Sequence, residues 1–504
     1  MSKAEKNRQV TEFGDFQTPS NLAQKACELL SGLQFHPKTI IEPTCGRGNF
    51  LLTAIEQFPT FAKALGLDIS PAYIEAARVL IQSRKDKERI ELREGDFFTT
   101  DWAGFLTNLP EPILIVGNPP WVTNAQLGVL NGSNLPEKSN FLKHSGYDAM
   151  TGKSNFDISE WMLIRVLHWL DNRNAAMGML CKTAVARKLL AYAWRNGISL
   201  SDSAIHHFNA SSYFGASVDA CFFICRFSPS ARNTTCRVYN SLDNNNFVET
   251  LGSSEGDVVS MELFERWKHL RGNNNRWRSG IKHNCSKVME LTKEFGKYRN
   301  GFGEVVELED SFIYPMLKSS DLANGSTDVP RRWMIVTQKS VRDDTSLIKD
   351  VAPRTWEYLL AHSQFLDKRG SSIYKNRPRF SVFGVGEYSF SPWKVAISGF
   401  YKKLSFKVVG THNGKPMVLD DTSYFIPCEN QEEAESISAL LNSRIAKEFF
   451  QTHIFWDAKR PITIDILRRL DLEALKEEVN KAAFVKNGQH DDCLNPTEDY
   501  KALT

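Results

Sequence analysis

From residue 38 to about residue 230 the chain alternates short apolar runs with stretches of helical period, and this restricts its fold more than any other feature. Strands separated by helices pair in parallel, because a long crossover returns the chain to the same end of the sheet. Thr39–Glu42 reads as a first strand and 49–58 as a helix. Residues 64–69 form a second strand, followed by a helix over 71–83 with Ser70 as its cap and Pro71 in its first turn. A third strand falls at 90–93 and a fourth at 112–116; the fourth is wholly apolar and therefore buried on both faces. The stretch 122–154 is polar, rich in Gly, Asn and Ser, and without a period, which suits a functional loop. Ile158, Trp161, Met162, Ile164, Val166 and Trp169 then recur at helical spacing between Asp157 and Asp171. A fifth strand at 176–181, its helix at 183–195, and strands at 203–208 and 218–227 close the sheet.

At 504 residues the chain exceeds one core, and roughly 100–200 residues per domain predicts two to four. Past residue 235 the alternation stops and the sequence becomes mixed and aromatic-rich, which places a domain boundary near 235–265. No apolar run approaches the ~18 residues of a membrane helix, and the N-terminus lacks the apolar stretch of a secretory signal. Nine cysteines form no CxxC pair, so neither a zinc framework nor a disulfide scaffold is indicated. A soluble cytoplasmic protein is expected. The net charge of +3 is uneven: residues 266–420 hold 27 Lys and Arg against 15 Asp and Glu, and 421–504 hold 10 against 16. A basic middle section suits a polyanionic partner, although random surface clustering would look the same.

Glu42 to Phe50 follows the first strand and opens a helix. Gly46 and Gly48 allow a tight turn at the carboxyl end of that strand, where open α/β sheets bind cofactors. Leu51 stands where the dinucleotide pattern wants a third glycine. Asp68 ends the second strand 20 residues beyond Gly48, placed to accept both hydroxyls of a ribose; the plainer reading is an acidic helix cap. After the third strand, Asp96 and Phe97 offer a carboxylate for an adenine amino group and a ring for stacking, or else an ordinary turn.

Asn118-Pro119-Pro120-Trp121, directly after the apolar fourth strand, decides the reading. Consecutive prolines hold the chain extended and remove two backbone donors. The acceptors left are the Asn118 side-chain oxygen and the Pro119 carbonyl, which together suit an amino group donating both hydrogens. Trp121 supplies a face for a planar base.

These motifs together resemble the S-adenosylmethionine-dependent DNA adenine-N6 methyltransferases of restriction–modification systems, in the gamma order of motifs. The likeness covers about residues 10–230 and includes the segment Phe13 to Pro19. It implies a Rossmann-like class I methyltransferase α/β sheet with helices on both faces, plus a C-terminal mixed α+β target-recognition domain. The implied domains are 1–235 for catalysis, with an N-terminal cofactor segment at 10–25, then 236–430 for DNA, then a helical segment and tail at 431–504. Carried over, Phe16, Thr18, Glu42, Thr44, Cys45, Gly46 and Gly48 would surround the methionine part of the cofactor. Asp68 would hold its ribose, and Asp96 with Phe97 its adenine. Asn118, Pro119, Pro120 and Trp121 would hold the target base, with Phe214 as a second stacking ring, or a ring simply buried under the last hairpin. Thr44 and Arg47 replace the usual Ala and Ser of the glycine motif, and both glycines remain. Residues 381–390, 392–403 and 455–462 also look like the C-terminal half of such enzymes.

Methyl transfer from a sulfonium to an amine requires in-line placement more than acid–base groups, so neither a nucleophilic cysteine nor a metal is expected. Pro427-Cys428-Glu429 resembles the cytosine-C5 nucleophile motif, but it lies far from the cofactor motifs and reads as structural. The expected partners are double-stranded DNA, reached by base flipping, and a restriction endonuclease on another chain; no membrane is expected. Lys394, Lys402 and Lys403, interleaved with Trp393, Phe400 and Tyr401, are candidate DNA contacts, or else solvated strand lysines. Cytosine N4, an RNA base or a glutamine amide remain alternative acceptors, and a non-catalytic DNA-recognition subunit remains an alternative role.

Overall fold

The computed structural model describes residues 17–121, 157–243, 246–456, 458 and 460–487; the 122–154 stretch and Phe16 lie outside the described residues. The chain divides into two compact units, Met1–Glu262 and Leu263–Thr504. Among the described residues no helix is long and apolar enough to cross a membrane.

The first unit is built on one ten-stranded sheet. Its strands are β1 (Thr39–Glu42), β2 (Lys63–Asp68), β3 (Ile90–Glu94), β4 (Ile113–Gly117), β5 (Ala175–Lys182), β6 (Leu200–Asn209), β7 (Asp219–Phe227), β8 (Thr235–Tyr239), β9 (Phe247–Ser254) and β10 (Asp257–Ser260). They lie in the order β10-β9-β8-β6-β7-β5-β4-β1-β2-β3. β1 to β5 are parallel, and β7 runs antiparallel between β5 and β6. Winding reverses between β1 and β4, and open sheets of this kind place their ligands at the carboxyl end of that switch point. β1 and β4 are buried along their whole length, as the apolar run at 112–116 required.

Two departures from the sequence reading have physical causes. Ser20–Ser31 forms a helix whose Leu22, Ala23, Ala26 and Leu30 pack in one core with Phe50, Leu51 and Ala54 of the Asn49–Gln57 helix. β8, β9 and β10 extend the first sheet, so the first unit runs to Glu262, beyond the 235 given for the first domain. After β7 the sheet grows by antiparallel hairpins from β8, which itself pairs parallel to β6. Helical crossovers therefore cease while the sheet continues, and the division falls at the far end of the 235–265 window, after three further strands.

The second unit is mixed α+β. A six-stranded sheet and a four-stranded sheet carry separate apolar clusters. The helical residues of 431–487 pack into this unit. Ala434 and Leu441 of helix Gln431–Asn442, and Phe449 and Phe450 of helix Arg444–Gln451, pack with Val395, Ile397, Tyr424 and Ile426 of the four-stranded sheet. Gly280 sits where a β-carbon would come 2.1 Å from the Asp420 carbonyl oxygen and 2.4 Å from that of Leu419. Backbone atoms have no rotamer by which to yield, so Gly280→Ala is expected to destabilise the protein by about 2–3 kcal/mol, read by denaturant titration.

Candidate active site

The turn after β1 is held to β2 by main chain and carboxylate together. The Cys45 N–H donates to the Leu67 carbonyl at 2.8 Å, and the Gly46 N–H to Asp68 Oδ2 at 2.8 Å. Asp68 Oδ1 accepts from the Ser70 N–H at 2.9 Å, and Ser70 makes no side-chain cap bond of its own. Asp68 thus fixes the residue that precedes the Pro71–Gln82 helix, and the side-chain cap expected of Ser70 is not made. Gly46 and Gly48 have φ of 51° and 84°, values that strain any residue with a β-carbon. A β-carbon on Gly48 would also stand 3.2 Å from Ala77 Cβ.

The N-terminal segment reaches this turn, as the resemblance implies. Gln17 Oε1 accepts from the Arg47 N–H at 3.3 Å, and the carbonyl of buried Thr18 accepts from Asn49 Nδ2 at 3.1 Å. Glu42 is 2% exposed, and its Oε2 accepts from the Leu51 N–H at 2.8 Å. Burial holds its carboxyl well above the usual carboxylate range; the Leu51 bond opposes this, and the nearby Asp68 adds to it. Burial, with Glu42 close by, also keeps Cys45 a thiol. Thr44 is half-buried in the same turn.

This donor set fits S-adenosylmethionine. The acidic side chains at the ends of β1 and β2 suit a hydroxyl-bearing ligand whose positive charge would favour the ionised form of Glu42. The glycines leave room for close backbone approach.

The Asn118-Pro119-Pro120-Trp121 tetrapeptide leaves β4 beside this turn. In the parallel register Ile41 faces Ile115, which brings the ends of β1 and β4 together. A β-carbon on Gly117 would stand 3.5 Å from Glu42 Cγ. Asn118, next along the chain, is half-buried. Trp121 is 6% exposed and is held at two points by β5. Its Nε1 donates to the Leu180 carbonyl at 3.3 Å, and its own carbonyl accepts from Lys182 Nζ at 3.1 Å. The Phe214 ring meets Trp121 edge to face at 5.3 Å, so the two expected stacking rings are brought together.

No family model matches the chain. Over 470 residues, 93% of this chain and 98% of the relative, it is 44% identical to the type II methyltransferase M.NspV of Nostoc sp.. The chain belongs to the type II methyltransferases. A shorter likeness, 31% identity over 123 residues, covers 24% of the chain and 27% of the type II methyltransferase M.CvrRI of Paramecium bursaria Chlorella virus XZ-6E. The solved type IIL restriction-modification enzyme MmeI, in complex with DNA, shares the fold over 97% of this chain and 71% of its own, with a TM-score of 0.52 at 12% identity. The restriction–modification methyltransferase family inferred from the motifs is thereby confirmed.

Other expected residues of this methyltransferase stand as follows. Asp96 is half-buried, and its Oδ1 accepts from the Phe98 N–H at 2.8 Å. Phe97 is 5% exposed and packs among Phe98, Trp102 and Trp169, with ring centroids 5.2–5.8 Å away. Lys402 and Lys403 are exposed. Lys394 is not available as a DNA contact: it is 0% exposed, and its Nζ donates to the Ser391 carbonyl at 2.6 Å. Its strand, Trp393–Ser398, is covered on both faces, and burial pushes the ammonium down to about 7. Cys428 is buried in the strand Ser423–Cys428, and burial pushes its thiol up to about 11.

Sequence reasoning missed Lys182 and its partner Asp157. Lys182 Nζ donates to Asp157 Oδ2 at 2.5 Å as well as to the Trp121 carbonyl, while Asp157 Oδ1 accepts from the Ser159 N–H at 3.1 Å. One ammonium therefore ties the residue that ends the tetrapeptide to the cap of helix Ile158–Leu170. The available signal was a lysine closing an otherwise apolar strand.

Proposed function

We propose that this type II methyltransferase transfers a methyl group from S-adenosylmethionine to the N6 amino group of adenine in double-stranded DNA. It would act within a restriction–modification or related defence system whose endonuclease is another chain. One observation carries the reading: Gly117, the last residue of β4, lies against Glu42 at the switch point of the sheet, and the tetrapeptide that follows it ends in the Trp121–Phe214 ring pair.

When bound, S-adenosylmethionine supplies a methyl group on a sulfonium that departs as a neutral thioether. The chain's own residues then orient an amine. The Asn118 side-chain oxygen and the Pro119 carbonyl accept its two hydrogens, which draws its lone pair out of conjugation with the ring. These acceptors strengthen as the amine gains positive charge. The prolines keep both acceptors on a rigid, extended backbone. Phe214, the more open of the two rings, offers the face on which an extruded base stacks. A base inside a duplex must swing out at a cost of a few kcal/mol, and phosphate contacts by the basic section 266–420, with 27 cations against 15 anions, offset that cost.

Incubation with tritiated S-adenosylmethionine and unmethylated plasmid DNA should place the label in N6-methyladenine on enzymatic digestion. Label recovered only in N4-methylcytosine, in RNA or in protein would select another acceptor and reject this one.

A further inference from the structure

The hairpin between strands Glu290–Glu294 and Lys297–Asn300 turns through only two residues, Phe295 and Gly296, because Glu294 faces Lys297 in the register. Both turn residues have positive φ, 50° and 80°. Such turns favour Asn-Gly or Asp-Gly; a bulky residue at the first position is strained. Phe295 is also 106% exposed, so its ring gains nothing from packing. Strain and a bare aromatic ring thus coincide at one residue, where the fold alone would favour asparagine. Strain of this kind points to function when nothing local explains it.

The surroundings indicate a ligand. Lys293 and Lys297 are exposed on the two strands that carry the tip. Lys293 Nζ lies 5.1 Å from the Tyr298 ring and 5.9 Å from that of Trp333. The acidic residue of the tip, Glu294, is paired with Arg299 at 3.3 Å. The tip therefore combines an apolar plane with flanking cations, matching the stacked bases and phosphates of a nucleic acid duplex.

We propose that Phe295 is a wedge that enters duplex DNA and stacks on a base face, while Lys293 and Lys297 contact the adjacent phosphates. The inference rests on the DNA-methyltransferase reading above and adds a contact that the reading does not require. Full-length wild type, Phe295→Asn and Phe295→Trp would be compared in tritium transfer to unmethylated plasmid DNA and in thermal melting. Phe295→Asn is expected to melt at or above the wild-type temperature, because asparagine relieves the turn, yet to lose about tenfold or more in kcat/KM for DNA. Phe295→Trp should stay close to wild type.

Wild-type kcat/KM in Phe295→Asn, within twofold, would overturn the wedge and leave the methyltransferase reading intact. A rate loss accompanied by a lower melting temperature would also overturn it, as a structural effect. If Phe295→Asn instead lost only binding to anionic lipid vesicles, the tip would belong to a membrane contact and the proposal would fall. A wild type that labels no DNA would remove both readings.

Discussion

Asn118→Ala is expected to slow methyl transfer by about a thousandfold while S-adenosylmethionine binds within about threefold of wild type. The asymmetry follows from which atoms do which work. The cofactor turn is secured by Cys45 to Leu67, Gly46 to Asp68 and Leu51 to Glu42, and none of these bonds uses Asn118. Removing the amide leaves that turn and the two prolines in place, but takes away one of the two acceptors to which the proposed function gives the aiming of the amine. Rapid-quench rates and calorimetric binding separate the two effects. Equal loss of rate and cofactor affinity would show Asn118 to be part of the cofactor pocket.

Lys182→Met should lose about ten- to a hundredfold in rate and about 3 kcal/mol in stability. Both losses trace to one ammonium. Asp157 is 7% exposed, so removing its partner leaves an uncompensated buried carboxylate. The Trp121 carbonyl loses its donor on β5, while the indole nitrogen keeps its bond to the Leu180 carbonyl. The double variant Lys182→Met/Asp157→Asn removes the stranded charge and should recover most of the melting temperature, but not the rate. Recovery of both would reduce the lysine to an ordinary ion pair. Lys182→Arg, which keeps a cationic donor, should recover part of the rate.

The sequence made most of the first unit legible because its signals are local. β4 announces itself by an unbroken apolar run, and the turn after β1 by glycines that must adopt positive φ. Helices Asn49–Gln57 and Ile158–Leu170 carry plain helical spacing. What escaped depends on tertiary context. β8 to β10 resemble any antiparallel strands, and only pairing to β6 through β8 reveals that they belong to the first sheet. Lys394 sits beside Trp393 in a pattern that suggests a solvated strand face, yet that strand is buried on both sides. Lys182 is unremarkable until folding brings Trp121 and Asp157, with 35 residues between them in the chain, to its ammonium. Local period locates elements; long-range partners assign their roles.

The most direct test of the central claim is to sequence methylated positions in DNA from methylation-deficient cells expressing this chain alone, with Asn118→Ala as the control. The account predicts N6-methyladenine at one recurring sequence for the wild-type chain and at none for the variant. Methylation of another base, or an unchanged adenine pattern in Asn118→Ala cells, would contradict it.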